Sequence, residues 1–364
     1  MIRVREGTVR SVTAEGPGWT EALADLEDGG TQRCLSLHAL TGPLQPGDRV
    51  SLNTTAAFLG LGTGGYHFVT AVWGRARDIH GPGHIMKLRY TPAQVRVLAV
   101  EEEESPHHDA LATIPDLGGK PVFVGTLHSQ VPLVAAAIKA VRPHVRIAYV
   151  MTDGAALPAA FSRLLPALKS AQIIDAVITA GHAFGGDYEC VTPAAGLAAA
   201  HVVVGADAVI VSMGPGVVGT GTPLGTTALE QGPLLDAAAC LGGEPIAVVR
   251  ASEADPRERH RGISHHVITA LTRFTHHPVT VPLVAPRDPS SRERIRSQAG
   301  ELAQAGHRIV WVDGEGAYAP ARKLLSSAGI TVTTMGRGER DDPLFFWSAA
   351  AAGAWWARRS VEAP

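Results

Sequence analysis

ADAVIVSMGPGVVGTGTPLG, Ala206 to Gly225, is the stretch from which the fold of this chain is read. The β-branched run Val209-Ile210-Val211 has no polar alternation, as expected for a strand covered on both faces. It runs into a loop holding Gly214, Gly216, Gly219, Gly221 and Gly225. Glycine accepts positive φ and lets successive amides turn toward one point, the way a backbone cradles an anion. A buried strand feeding such a loop is one half of a βα unit, and the same pattern recurs outward in both directions.

From about Leu111 to Pro364, apolar strand-like runs alternate with helical patterns, which calls for a parallel sheet with crossover helices. The expected strands are Pro121–Gly125, Arg146–Met151, Asp175–Ala180, Ala208–Met213, Pro245–Arg250, Val279–Val284, Arg308–Val312 and Thr331–Met335. Unit lengths vary and the last three repeats are compact. An open, doubly wound, Rossmann-like sheet is therefore favoured over a closed barrel. Residues 1–110 read differently, as short apolar runs between Gly/Pro turns, the pattern of a small β-barrel. The acidic run Glu101–Glu104 reads as a solvated linker at its end. The fold class is thus α/β: a small β-rich domain, 1–110, and a larger ligand-binding domain, 111–364.

The 364 residues carry a net charge of −2, so no basic field recruits nucleic acid or an anionic membrane. The three cysteines are odd in number and far apart, which suits a reducing cytoplasm better than a disulfide framework. MIRVREGTVRSV shows no secretory h-region. The longest apolar run, Phe345–Trp356, is too short to span a bilayer and reads as a buried terminal helix.

In parallel sheets ligands bind where the βα loops gather, at the C-terminal strand ends. Polar residues concentrate in those loops here. They include His128, Asp153-Gly154, Gly181-His182, Asp187, the glycine loop, and Ser252 to His266. The motifs Tyr149–Pro158, Gly181–Glu189, Met213–Thr222 and Arg259–His266 resemble a bacterial family catalogued as a domain of unknown function. That resemblance implies one shared site and carries no activity.

His182, Asp187, His265, His266, Asp153 and His128 are the acid–base candidates, since imidazole and carboxylate move protons near neutral pH. Gly214, Gly216, Gly219, Thr220, Gly221 and Thr222 would hold an anion, with Arg250, Arg257, Arg259 and Arg261 as bidentate clamps. His182, Asp187 and Glu189 on one loop, with His128 and Asp153 on neighbouring loops, could also hold a divalent metal, but their spacing matches no metal motif, so none is assigned. Gly214 to Gly219 fits G-x-G-x-x-G, yet the helix is delayed to about Thr226 and the next strand ends in Arg250. A nicotinamide cofactor is disfavoured on both counts. The expectation is an enzyme acting on a phosphorylated or carboxylated small molecule, the alternative a non-catalytic sensor. Neither excludes a homo-oligomer.

Overall fold

The computed structural model describes residues 2–62, 64–78 and 81–359. The chain forms two compact units, Met1–Leu98 and Ala99–Pro364.

The first unit contains a closed barrel of β1 (Val4–Gly16), β2 (Trp19–Leu26), β3 (Thr31–Leu37), β4 (Arg49–Asn53) and β5 (His67–Val72). They lie in the order β1-β2-β3-β5-β4, and β4 pairs back onto β1 to close it. Register shifts at Val9/Ser11 and Val12/Ala14 bend the long first strand around the barrel. Val9, Ala22, Ala24, Cys34, Val50, Leu52 and Val69 fill the interior. The turn before β4 needs Gly47, whose φ is +90° and whose amide bonds to the Val9 carbonyl at 2.8 Å. A separate ribbon pairs β6 (Ile85–Lys87) with β7 (Val95–Val97). The glycine-rich run Gly60–Val69 contains Thr63, which lies outside the described residues. Its Tyr66 bonds to Arg33 at 2.5 Å within the barrel itself.

The second unit is the expected open sheet. Its strands are β8 (Pro121–Val124), β9 (Ile147–Thr152), β10 (Ala176–Ala180), β11 (Tyr188–Cys190), β12 (Ala208–Met213), β13 (Glu244–Ala247), then, after the small antiparallel pair β14 (Ala251–Ser252) and β15 (Gly262–Ile263), β16 (Thr280–Val284) and β17 (Arg308–Val312). The sheet order is β11-β10-β9-β12-β8-β13-β16-β17, and every pairing is parallel. Helices Val131–Val141, Leu164–Ser170, Gly314–Ser327 and Pro343–Arg359 cover one face. Pro193–Val202, Gln231–Cys240, His265–Arg273 and Pro289–Gln304 cover the other. Every residue of β9 and β12 is buried, which is why neither alternates. The terminal helix is buried along most of its length, and no helix among the described residues is long and apolar enough to cross a membrane.

Two expectations are corrected. Thr331–Met335 is not a strand; it bends at Met335, φ 48°, and makes only the Thr334–Arg337 bridge. Its β-branched residues suit a strand, but Ile330 and Val332 are buried among the helices of one face and the segment does not pair with the edge strand β17. The eighth strand is instead β11, three residues long and too short to show a period. Nor is the acidic run simply solvated: Glu102 is buried and accepts the Ala99 amide at 2.6 Å, while Glu101 accepts the Val191 amide at 2.6 Å.

Candidate functional site at the C-terminal strand ends

The strand order creates two places where neighbouring loops depart in opposite directions. The β9 loop heads for β10 while the β12 loop returns past β8 to β13; the β8 and β13 loops diverge in the same way. Such switch points open crevices at the carboxyl ends of the strands. The β8/β13 crevice is filled by two buried amides. Gln231 Nε2 donates to the Val124 and Val248 carbonyls at 2.8 and 3.2 Å, and Gln130 Oε1 accepts the Thr126 and Leu127 amides.

The β9/β12 crevice holds a carboxyl group. Glu230 ends the 3-10 turn Thr227–Glu230, and its Oε1 accepts from Thr152 Oγ1, at the end of β9, at 2.7 Å. The Met213 amide, at the end of β12, is a further donor. A Cβ on Gly154 would lie 2.7 Å from Glu230 Oε2, so the β9 loop passes close against the carboxyl group. Burial raises the Glu230 carboxyl to about 7, and the Asp153 carboxylate pushes the same way against the two hydrogen bonds. A carboxyl titrating there both donates and accepts protons at neutral pH. Asp153 is exposed, and its Oδ2 accepts the His182 amide at 2.8 Å, joining the β9 and β10 loops.

Along the same edge, the segment after β13 is held by an ion cluster. Asp255, fully buried, pairs with Arg250 at 3.2 Å, Arg257 at 2.9 Å and Arg337 at 3.5 Å. Arg337 also meets buried Asp342, which accepts from Ser252 Oγ at 2.6 Å. Burial draws the Arg250 guanidinium down to about 10, partly offset by Asp255, whose own carboxyl its arginine partners hold far below the usual range.

This framework presents three histidines. Ser264 caps the helix His265–Arg273, accepting the His266 amide, and its Oγ lies 2.8 Å from His260 Nδ1. The rings of His260, His265 and His266 stand 4.2–5.1 Å apart between centroids. One ligating atom from each lies within 4.8 Å of the others. The Nε2 atoms of His265 and His266 are buried and have no hydrogen-bond partner among the described residues. Burial lowers all three, His260 to about 3 and His266 to about 4, and the neighbouring arginines act in the same direction.

The glycine loop folds over this cluster as a hairpin. Gly219 bridges Thr226, and the amides of Val218, Thr220 and Gly225 are bonded within the hairpin, to Thr227 Oγ1, the Gly225 carbonyl and Thr222 Oγ1. Those three amides therefore do not face outward as an open cradle would require. A Cβ on Gly219 would lie 2.9 Å from His266 Cε1, and one on Gly221 would lie 3.5 Å from the Arg259 guanidinium. Thr226 Oγ1 lies 3.4 Å from His266 Nδ1.

The residues nominated from sequence thus divide. Gly219, Gly221, Arg259, His265 and His266 are gathered, and Asp153 lies beside Glu230. Gly214 packs on the Ala156 carbonyl, Gly216 is exposed at φ +106°, and Thr220 and Thr222 bond to each other at 3.0 Å. Arg250 and Arg257 are committed to Asp255, and Arg261 donates to the Asp255 carbonyl at 3.1 Å. Arg259 is exposed and makes no ion pair among the described residues. His128 is buried, its Nδ1 3.1 Å from the Tyr149 hydroxyl and its Nε2 2.7 Å from Ser162 Oγ. Burial lowers it to about 4, and both nitrogens are spent internally.

Asp187 does not join His182. The chain after β10 doubles back, so Asp187 sits where β10 and β11 begin, accepting the Val177 amide at 2.9 Å and pairing with Lys169. Sequence reasoning does not nominate Glu230, Asp255 or His260. His260 and Asp255 stand in a visibly charged segment; nothing local marks Glu230.

The quoted motifs all lie within residues 33–353, the span matched by the model of one family. The chain belongs to the family described as protein of unknown function (DUF3866). No curated protein and no solved structure matches it.

Proposed function

We propose that this chain is an enzyme acting on a phosphorylated or carboxylated small molecule at the C-terminal ends of its parallel strands. The observation that carries the reading is Glu230: a carboxyl raised to about 7, set between β9 and β12 where the sheet changes direction. Glu230 transfers the proton, with Thr152 fixing its orientation. Arg259, which makes no ion pair among the described residues, holds the anionic group of the substrate. The three free thiols suit a cytoplasmic setting.

The test is consumption of a panel of sugar phosphates, nucleotides and di- and tricarboxylates, followed by NMR. The wild-type chain turns over at least one member, and Glu230→Gln, which keeps the Thr152 bond, abolishes turnover without loss of fold. Equal turnover by both proteins would overturn the reading.

A further inference from the structure

The strand-end edge holds one cluster for which proton transfer by Glu230 gives no role. His260 and His266 are 1% and 4% exposed, and with His265 they bring three imidazoles to one point. Buried polar atoms nearly always find partners, because an orphan keeps the full cost of losing its water. Here two Nε2 atoms, those of His265 and His266, have none among the described residues, and both belong to the same cluster. The hairpin sets the Gly219 backbone beside the His266 ring, and its Thr226 hydroxyl lies 3.4 Å from His266 Nδ1, the other ring nitrogen.

We propose that His260, His265 and His266 form a binding site for a divalent transition metal of the zinc class, with an open coordination position facing Arg259. The donor set decides the class: imidazole nitrogen suits Zn²⁺, Co²⁺, Ni²⁺ and Cu²⁺, whereas Mg²⁺ and Ca²⁺ require oxygen. Three histidines with an open position are the ligand count of a catalytic zinc site. The metal–nitrogen distance of about 2.0–2.1 Å places tetrahedral ligands about 3.4 Å apart, so atoms spread over 4.8 Å close on the ion by small side-chain rotations.

The surroundings fit as well. When His260 Nδ1–H donates to Ser264 Oγ, at 2.8 Å, Nε2 keeps its lone pair for the ion. That is the outer-shell bond metal-bound histidines usually make. His265 and His266 lie on consecutive positions at a helix start whose Ser264 cap fixes the backbone. Three arginines beside the cluster would repel a bare dication. Asp255 neutralises part of that charge through Arg250 and Arg257. Arg259 remains, and it favours an anionic oxygen, from hydroxide, phosphate or carboxylate, in the open position.

Metal retention is measured without turnover, so this site and proton transfer by Glu230 can each fail alone. The tag-free full-length chain is stripped with EDTA, loaded with ZnCl₂, desalted and assayed by mass spectrometry for zinc. About one zinc per chain is expected, and a Co²⁺-loaded sample should show the intense visible bands of a tetrahedral site. His265→Ala removes a ligand whose Nε2 has no hydrogen-bond partner among the described residues. It loses both signals while its metal-free form keeps the wild-type far-UV spectrum. Ser264→Ala retains the site but weakens it about 10–100-fold. No zinc on the wild-type chain, or equal zinc on His265→Ala and His266→Ala, would overturn the proposal.

Discussion

Replacing Asp255 by Asn should destabilise the second unit more than any other single change at this edge. Asp255 is fully buried and meets Arg250, Arg257 and Arg337. Without its charge, Arg337 keeps Asp342, but Arg257 and Arg250, the latter only 4% exposed, keep no carboxylate partner among the described residues. Removing one partner of a buried pair costs about 3–5 kcal/mol, because the remaining charge stays buried. For a unit of this size that lowers the melting temperature by roughly 6–20 °C. The pH dependence has a definite sign. A carboxyl held below its unfolded value near 3.9 contributes stability that is full above that value and lost as pH falls through the folded value. Melting curves of wild type and variant should therefore lie far apart at pH 7 and draw together below about pH 4. A difference at pH 7 within about 0.5 kcal/mol, the range of an ordinary surface substitution, would refute the ion cluster as the anchor of this segment.

Gly219→Val should displace His266, which a Cβ would approach to 2.9 Å, and abolish zinc retention at little cost to the melting temperature; retention equal to wild type would show that the hairpin yields freely. Gly216→Ala meets no atom within 4 Å but sits at φ +106°, so it should cost about 1 kcal/mol, read by urea unfolding, and leave zinc retention unchanged. Arg259→Ala should weaken thermal stabilisation by pyrophosphate, and the loss should shrink at high salt, since a solvent-exposed charge is screened. Undiminished stabilisation would place the anion elsewhere.

The architecture is legible because burial on both faces writes itself into composition. Ile147–Thr152 and Ala208–Met213 are buried throughout and, Thr152 and Ser212 apart, carry no alternation of polar residues, and the helices between strands repeat at their own period. Trp19–Leu26, TEALADL after its tryptophan, does not read as a strand; half of it faces solvent and it lacks β-branched residues beyond one threonine. Tyr188–Cys190 is too short to show a pattern. At the site, the loops can be assigned to one edge, because parallel topology fixes where they gather. Partners cannot. Whether Asp187 meets His182 depends on a chain reversal that leaves no local trace, and Glu230 looks like any helix-start glutamate until β9 and β12 enclose it. The glycines are legible as points of close approach, but not that Gly219 is approached by an imidazole.

Proton exchange by Glu230 near neutral pH, at the β9/β12 switch point, is open to direct measurement. The chain is labelled with ¹³C-glutamate and its carboxyl carbons are followed by NMR from pH 4 to 9, with the Glu230→Gln spectrum identifying the resonance. A midpoint of about 7 is expected for the resonance absent from the variant. A midpoint near 4.3, that of an unperturbed glutamate, would contradict it.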